Sequence, residues 1–531
     1  MTKTCLSIFR IFRNPIVCVA VALIVATAVA FLLTAVRGVP APRVHDEFAY
    51  LLGADTFAAG RMTNPTHPLW EHFESFHIIH QPSYISKYPP AQSLALAGGQ
   101  RLGHPIIGSC LSAGFAAACL VWMLTGWLPR KYFWLITLFA IFHPGLQIVW
   151  GQSYWGGNLA LAGASLLLGA LGRLTAKMEI KLAVIAGIGT LLLANTRPFE
   201  GAVLTFGVGL ALIWKLTRTP GWNLKPFLLR VIAPGLAVLS LGGVAMLAYN
   251  DAVSGNPFKM PYQIHESTYG FSPVFLWQTA GEKPEYRHPV MQGFFETDKA
   301  NNDAKYRSVG DILRVKTGAA YALLKFFCGG TIVLALLGLP WMIRRPRFRL
   351  ALLIAIPVFL ASLATPWAWS HYCAPAGPLL ILLFIGCLVE IWKRTRNVPM
   401  FRLAILLILP IFHLIWWVSI DDAYRKLANH GWAKDRVAIE QRLLEQPGQD
   451  LVLVRYSEKH NFNAEWVYNA ADIDAAEVVW AREMSDRKRS RLIDYFDDRK
   501  IWILEADQRP PRLRPFQEFE TTNQQFGMKT E

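Results

Sequence analysis

Long uncharged apolar runs recur along this chain and restrict what it can fold into. Clear examples are residues 16–36, 182–194, 231–248, 350–363 and 403–420. Runs of about 18 or more apolar residues are typical of membrane-spanning helices, and a few runs here are shorter. Charged residues make up only 17% of the chain, whereas soluble proteins carry about 25%. The sequence therefore predicts an α-helical polytopic membrane protein.

Positive charge is distributed unevenly along the chain. The formal net charge is +16, but residues 421–531 hold 18 Lys and Arg against 21 Asp and Glu. The positive excess therefore lies in residues 1–420, mostly in short segments between apolar runs. Alternate loops that collect Lys and Arg are typical of the cytoplasmic side of a membrane protein. This distribution argues against a nucleic-acid partner and predicts about eleven spans with a cytoplasmic N-terminus.

The same topology divides the chain into two parts. Residues 1–420 are predicted to form the transmembrane catalytic domain. Its two long loops, residues 37–105 and 250–319, then lie on the outer face of the membrane. Residues 421–531 are predicted to form an extracytoplasmic domain.

The composition of the C-terminal part predicts a small α/β domain. Short apolar runs at 451–454, 478–480 and 501–504 are typical of buried strands, and residues 486–495 have a charged helical pattern. No Gly-rich phosphate loop follows a predicted strand. From Arg509 onward we expect loose order.

The N-terminal apolar run admits two interpretations. Lys3, Arg10 and Arg13 precede it, as in a signal peptide. The run is long, however, and residues 37–40 do not resemble a cleavage site. We favour an uncleaved first span.

Two adjacent carboxylates, Asp46 and Glu47, follow the first span closely, and helical spacing after them predicts a short helix along the membrane surface. A carboxylate can act as a general base on a hydroxyl, and cations can offset charge on a leaving phosphate. Lys87 and Arg197 are candidates for those cations. The alternatives are a helix cap for the acids, a membrane anchor for Lys87 and an ion pair with Glu200 for Arg197.

The arrangement of Asp46-Glu47, a short helix and then Lys87-Tyr88-Pro89-Pro90 resembles the GT-C superfamily of glycosyltransferases that use lipid-phosphate sugars. More narrowly, it is similar to the protein O-mannosyltransferase and aminoarabinose transferase group. The resemblance implies that the acidic pair is catalytic, with Asp46 as the base. It also implies a set of donor phosphate-binding residues, namely Lys87, Arg197, His371 and Tyr372.

The chain departs from that family in the outer loop after the third span. Many relatives have a second acid there, but residues 151–158 contain none. Gln152, Tyr154 and Asn158 are therefore candidates for contacting acceptor or sugar. Trp150–Trp155 is aromatic-rich and is interpreted either as an interfacial belt or as a sugar-stacking surface.

Metal binding has little support in the sequence. The seven cysteines form no CxxC pair, and most lie in or beside apolar runs, which is typical of packing residues. His265, Glu266 and His288 in the second long loop could touch acceptor or metal, although loop histidines usually do neither. We assign no cofactor and no metal ligand, and a divalent metal stays open.

The sequence predicts an inverting glycosyltransferase. Its donor would be a polyprenyl-phosphate sugar, its acceptor a hydroxyl on a lipid, glycan or protein, and its location the bacterial inner membrane, among membrane lipids. Transfer would take place on the outer face. The alternatives are a flippase or transporter of lipid-linked sugars, for which no internal repeat is apparent, and a non-catalytic membrane scaffold.

Overall fold

A computed structural model of the chain describes residues 12–428, 431–517 and 519. In this part the helices of eight or more residues are α1 (Pro15–Arg37), α2 (His45–Ala58), α3 (Ala91–Arg101), α4 (Pro105–Trp127), α5 (Phe133–Ile141), α6 (Asn158–Leu174), α7 (Ile180–Ala194), α8 (Pro198–Thr217), α9 (Ala233–Ser254), α10 (Pro261–Tyr269), α11 (Pro289–Lys305), α12 (Val309–Cys328), α13 (Pro346–Leu363), α14 (Gly377–Arg394), α15 (Pro399–Ala428), α16 (Gly431–Leu444) and α17 (Asp486–Tyr495).

Among the described residues, eight helical stretches are long and apolar enough to cross a membrane. They are α1, α4, α8, α13 and four stretches built around α5, α9, α14 and α15, namely Arg130–Trp150, Leu224–Ser254, Ala374–Asn397 and Pro399–Lys426. Two shorter apolar helices, α6 and α7, add to them. The prediction of a polytopic helical protein is confirmed, and the count of eleven spans stays a prediction.

Small residues let the helices approach closely. A Cβ built on Gly163 of α6 would lie 2.9 Å from the carbonyl oxygen of Gly189 in α7. A Cβ on Gly114 of α4 would overlap Thr27 of α1. Close backbone approach at small residues is a common way to pack helices in membranes, where the hydrophobic effect does not drive them together.

The apolar stretch at residues 320–343 is not one continuous helix. Helix α12 ends at Cys328, and Gly329 adopts a φ of +74° that a residue with a side chain rarely takes. Two short helical pieces, Ile332–Leu336 and Leu339–Met342, follow. Hydropathy alone does not reveal this break, because glycine does not interrupt an uncharged run.

The first long loop, residues 37–105, contains α2, three short strands and α3. Strands β1 (Asn64–Pro65), β2 (Ile78–Ile79) and β3 (Ser83–Ser86) pair antiparallel in the order β1-β3-β2. The helix predicted after the acidic pair is confirmed as α2. Most of its side chains are buried rather than split between a polar and an apolar face, because the C-terminal part of the chain covers it.

The C-terminal part contains a four-stranded sheet in the order β5-β4-β6-β7. Strands β4 (Asp450–Arg455), β5 (Val478–Arg482) and β6 (Lys500–Glu505) lie at the predicted apolar runs, and the predicted charged helix is α17. The three strands are parallel. Strand β7 (Arg512–Pro515) pairs antiparallel with β6. The expectation of loose order from Arg509 was therefore wrong as far as Pro515, and residues 518 and 520–531 lie outside the described part.

The two parts of the chain share a core. Phe48 and Leu52 of α2 belong to the same buried cluster as Trp432, Leu451 and Trp480 of the C-terminal part. Helix α15 also runs through residue 420 without a break. The division at residues 420 and 421 stays a prediction.

Candidate active site

Glu47 anchors the first turn of α2 to its surroundings. Its carboxylate accepts the backbone N–H of Arg43 at 2.8 Å and that of Tyr154 at 3.0 Å. The side chain is almost completely buried, and burial raises the pKa of its carboxyl group. Both carboxylate oxygens are thus used to hold backbone, which agrees with the helix-cap alternative from the sequence.

Asp46 points its carboxylate toward two histidines. Oδ1 lies 3.3 Å from Nε2 of His77, and Oδ2 lies 3.9 Å from Nε2 of His371. Burial lowers the pKa of both imidazoles well below the ordinary value, and the charges of Lys87 near His77 and of Arg197 near His371 lower it further. Burial therefore favours the neutral form of both rings.

Lys87 is a buried cation beside this carboxylate. It is 8% exposed, and its Nζ lies 5.4 Å from the centre of the Tyr88 ring. Burial lowers its pKa, while the negative charges of Glu266 and Asp46 act in the opposite direction. Among the described residues, no carboxylate oxygen lies within 4 Å of its ammonium, so its charge is not neutralised by direct contact.

Arg197 supplies a second buried cation at the start of α8. It is 9% exposed, and its guanidinium carbon lies 4.0 Å from the centre of the Tyr372 ring. The ion pair with Glu200 that the sequence offered as an alternative is not formed: within the described ranges, no carboxylate oxygen is within 4 Å of the Arg197 side chain. A buried, unpaired cation is costly unless an anion compensates it.

Four tyrosines surround these cations. The rings of Tyr50 and Tyr88 stack at 4.6 Å, and Tyr262 meets Tyr88 edge-on at 5.8 Å. Burial raises the pKa of Tyr50, Tyr262 and Tyr372, in the case of Tyr262 to about 12. The negative charge of Asp46 also raises these pKa values, and the positive charge of Arg197 lowers them. None of the four hydroxyls has a hydrogen-bond partner among the described residues. They are neutral donors available to an anion.

His371 completes one wall of the site. Its ring lies 5.1 Å from that of Trp155 in a stacked arrangement and 4.4 Å from that of Tyr372. Its Nε2 is buried and makes no hydrogen bond to the described residues. The second outer loop holds this segment: Lys316 donates to the carbonyl oxygen of Thr365 at 2.6 Å.

The three residues predicted to contact acceptor or sugar point into the protein. Gln152 donates to the carbonyl oxygen of Ala30 at 3.0 Å, and Tyr154 donates to that of Pro40 at 3.0 Å. Asn158 is also buried, with its amide nitrogen 3.4 Å from the Ser112 hydroxyl. Their side-chain polar groups are used within the protein, and the backbone N–H of Tyr154 donates to the carboxylate of Glu47. They hold residues 151–158 against the first helices.

The histidines of the second outer loop lie at different places. The ring of His265 is 5.8 Å from that of His77, next to the Asp46 cluster. His288 lies elsewhere and donates from Nε2 to the backbone carbonyl oxygen of Glu71 at 2.8 Å. A cavity of about 590 Å³ lies beyond His265, with Trp70 and Arg287 on its wall. No group of three or more possible metal ligands occurs among residues that the structure describes.

The sequence analysis thus named several of the residues that lie together around Asp46. It identified Asp46, Lys87, Arg197, His371 and Tyr372, which the structure brings together. It missed His77, which faces the Asp46 carboxylate. It also missed three tyrosines that bring hydroxyl groups close to the cations, namely Tyr50, Tyr88 and Tyr262. Tyr88 was visible inside the Lys87-Tyr88-Pro89-Pro90 motif, but no pattern pointed to His77 or Tyr262.

Comparison with known proteins identifies the fold. No protein-family model matches the sequence, and no curated protein sequence matches it. The structure of ArnT from Cupriavidus metallidurans bound to undecaprenyl phosphate matches with a TM-score of 0.50 and 15% identity, over 92% of each chain. The oligosaccharyltransferase of Archaeoglobus fulgidus, tethered with an acceptor peptide, matches with a TM-score of 0.51 and 11% identity, over 92% of this chain and 69% of its own. Both are GT-C superfamily glycosyltransferases, so the chain has the GT-C fold.

Proposed function

We propose that this protein is an inverting glycosyltransferase that moves a sugar from a polyprenyl-phosphate donor to an acceptor hydroxyl on the outer face of a bacterial inner membrane. The observation that carries the proposal is the juxtaposition of a carboxylate, Asp46, with two buried cations, Lys87 and Arg197, that have no carboxylate partner within 4 Å among the described residues. Sugar transfer from a lipid phosphate requires a base beside cations that can receive the phosphate.

The donor phosphate would lie between Lys87 and Arg197. Their charges are not compensated by direct contact with protein carboxylates, so a phosphate oxygen gains strong charge-assisted hydrogen bonds there. The hydroxyls of Tyr50, Tyr262 and Tyr372 add neutral donors. In the ArnT structure the bound molecule is undecaprenyl phosphate, which supports a lipid phosphate as the ligand class.

Transfer would take place in one displacement. Asp46 removes the proton from the acceptor hydroxyl, and that oxygen forms a bond to the anomeric carbon from the face opposite the phosphate. The bond between the anomeric carbon and the phosphate oxygen breaks, and polyprenyl phosphate leaves with the electron pair. Lys87 and Arg197 offset the charge that develops on the leaving oxygen.

Glu47 takes a supporting role in this scheme. Its two oxygens already accept backbone N–H groups, so it is not free to accept a proton from an acceptor. We assign it to positioning, together with Gln152, Tyr154 and Asn158, whose polar groups are used within the protein. His371 faces Asp46 and the phosphate side of the site and stays a candidate donor to the phosphate.

The test uses the purified full chain in detergent with labelled undecaprenyl-phosphate sugars and membrane extract as the acceptor source. Asp46→Asn should lower turnover by about 10³-fold or more, as expected for loss of a general base. Asp303→Asn, a matched change at an exposed acid of the second outer loop, should leave turnover unchanged. Near-normal transfer by Asp46→Asn would remove the assignment of the base, and no transfer by the wild type from any donor would remove the function.

A further inference from the structure

Residues 468–471 of the C-terminal part run along the helix that carries Asp46. The Tyr468 ring stacks on Phe48 at 4.0 Å with an interplanar angle of 3°, and its hydroxyl lies 2.8 Å from Nδ1 of His45. Farther along α2, the carboxylate of Asp55 accepts the backbone N–H of Ala471 at 2.7 Å. These contacts are spread over about three turns of α2. His45 and Phe48 lie on either side of Asp46 in the sequence, and Asp55 lies farther along the helix.

The same four residues also contact the strand that leads to Lys87. Tyr84 of β3 donates its hydroxyl to the carbonyl oxygen of Asn469 at 3.2 Å. Strand β3 ends at Ser86, so Lys87 is the next residue. Residues 468–471 thus touch both elements that carry the proposed base and the proposed phosphate-binding cation.

The C-terminal domain fixes residues 468–471 in place. The Asn469 side chain bonds the backbone N–H and carbonyl of Trp480 in β5, at 2.8 Å each. Arg436 of α16 is buried and donates to the carbonyl oxygen of Tyr468 at 2.9 Å. Its guanidinium also lies 5.3 Å from the centre of the Phe48 ring. The contact to α2 and β3 is therefore made by a rigidly held segment.

We propose that the C-terminal domain is part of the active site, because residues 468–471 fix α2 and β3 relative to each other and so set the separation of Asp46 from Lys87. Tyr468 is a positioning residue in this arrangement. The inference rests on the proposed glycosyl transfer. Small displacements of a base from its substrate cost large factors in rate, so a support of this kind has a measurable effect.

The test pairs two conservative variants with a control. Tyr468→Phe removes the hydroxyl that meets His45 and keeps the ring stacked on Phe48. Tyr84→Phe removes the contact from the β3 side. The control is Tyr495→Phe, since the Tyr495 hydroxyl bonds Asp474 within the C-terminal domain.

Two quantities are measured on the purified full chain: turnover with the labelled donor and hydrogen–deuterium exchange of backbone amides. Loss of one buried hydrogen bond predicts about a tenfold lower kcat for Tyr468→Phe, with faster exchange in the first turns of α2. The Kd for undecaprenyl phosphate should stay within twofold. Tyr84→Phe should instead weaken undecaprenyl phosphate binding about fivefold and speed exchange in β3. Tyr495→Phe should change neither quantity.

Wild-type exchange and turnover in both variants would overturn the proposal. A uniform rise in exchange over the whole chain, without selectivity for α2 or β3, would also overturn it, because the contacts would then serve only general stability. Failure of the proposed function is distinguishable: the wild type would then transfer no sugar from any donor, while the exchange pattern would still decide whether residues 468–471 hold α2 and β3.

Discussion

The carboxylate of Asp46 and the imidazole of His77 face each other, with 3.3 Å between Oδ1 and Nε2. Among the described residues, His77 is the only one other than glycine that has a positive φ, and its value is 62°. Such a backbone is unfavourable for a non-glycine residue and persists where the surroundings impose it. The carbonyl oxygen of His77 accepts the backbone N–H of Lys87 at 3.1 Å. His77 therefore contacts both Asp46, the proposed base, and Lys87, the proposed phosphate-binding cation.

The first prediction concerns His77. As a neutral ring it can donate Nε2–H to Asp46 and orient the carboxylate without neutralising it. His77→Ala should therefore lower kcat about tenfold while changing the Kd for undecaprenyl phosphate less than twofold. His77→Asn should recover part of the loss, because an amide can donate to the carboxylate and tolerates the positive φ. Steady-state kinetics with undecaprenyl-phosphate sugar separates the two effects.

A weaker donor affinity with unchanged kcat would contradict this role. It would mean that His77 acts on the phosphate side of the site through Lys87 and not on the base. His104→Ala provides a control, since that ring lies at the start of α4 and makes no contact with Asp46.

The second prediction concerns Arg197. Because its guanidinium is buried and lacks a carboxylate partner, a donor phosphate should supply the compensating charge. Arg197→Ala should weaken undecaprenyl phosphate binding by about 10- to 100-fold, the range expected for one charge-assisted contact. Arg197→Lys should recover only part of it, since an ammonium neither stacks on Tyr372 in the same way nor binds in a fork. Binding is measured by quenching of intrinsic tryptophan fluorescence.

Arg218→Ala is the matched control at the other end of α8, where the side chain is at the surface. Equal affinity in Arg197→Ala and the wild type would contradict the phosphate site. So would an equal loss of affinity for undecaprenol, which has the same tail and no phosphate.

The third prediction separates Glu47 from Asp46. Removing the Glu47 carboxylate leaves the buried N–H groups of Arg43 and Tyr154 without acceptors. Glu47→Ala should therefore lower the free energy of unfolding by about 2–4 kcal/mol, seen as a lower midpoint of thermal unfolding. Glu47→Gln keeps one acceptor oxygen and should lose less. Asp46→Asn should leave the midpoint nearly unchanged while abolishing turnover.

The opposite pattern would revise the assignment. A Glu47→Gln variant with wild-type thermal stability and no turnover would make Glu47 a participant in the chemistry, as the resemblance to GT-C enzymes implied for the acidic pair. The comparison is informative because the two acids are adjacent in sequence but their oxygens face different partners.

The candidate site was predictable where a sequence motif marks it. Asp46 stands out because an acidic pair follows the first apolar run closely, and Lys87 stands out because it begins the Lys87-Tyr88-Pro89-Pro90 motif. His77 does not, because its place beside Asp46 depends on the β2–β3 hairpin and on a positive φ. Tyr262 lies in the second outer loop, and only the folded chain brings it to Tyr88.

Residues that looked available in sequence were in some cases already used. Gln152 and Tyr154 follow a span in a polar segment, which is why they were candidates for the acceptor. Their partners are backbone carbonyl oxygens in α1 and just after it, and no periodicity in the sequence predicts such a pairing. The fold class, in contrast, follows from hydropathy alone, since backbone groups inside a membrane must be satisfied within helices or closed barrels.

The last prediction is a pH dependence of donor binding that Lys87 controls. Burial lowers its pKa, so the ammonium loses its proton at a lower pH than an ordinary lysine. Binding of phosphate requires the charged form. The affinity for undecaprenyl phosphate should therefore be constant near neutral pH and should fall as the pH rises through the lowered pKa of Lys87. This fall should occur below the ordinary lysine pKa of about 10.4.

The control is Lys87→Arg, which keeps its charge in this pH range and should abolish the fall. Titrations from about pH 7.5 upward avoid the second ionisation of the phosphate near pH 6. A fall of equal size in Lys87→Arg, or none in the wild type, would show that Lys87 does not bind the phosphate.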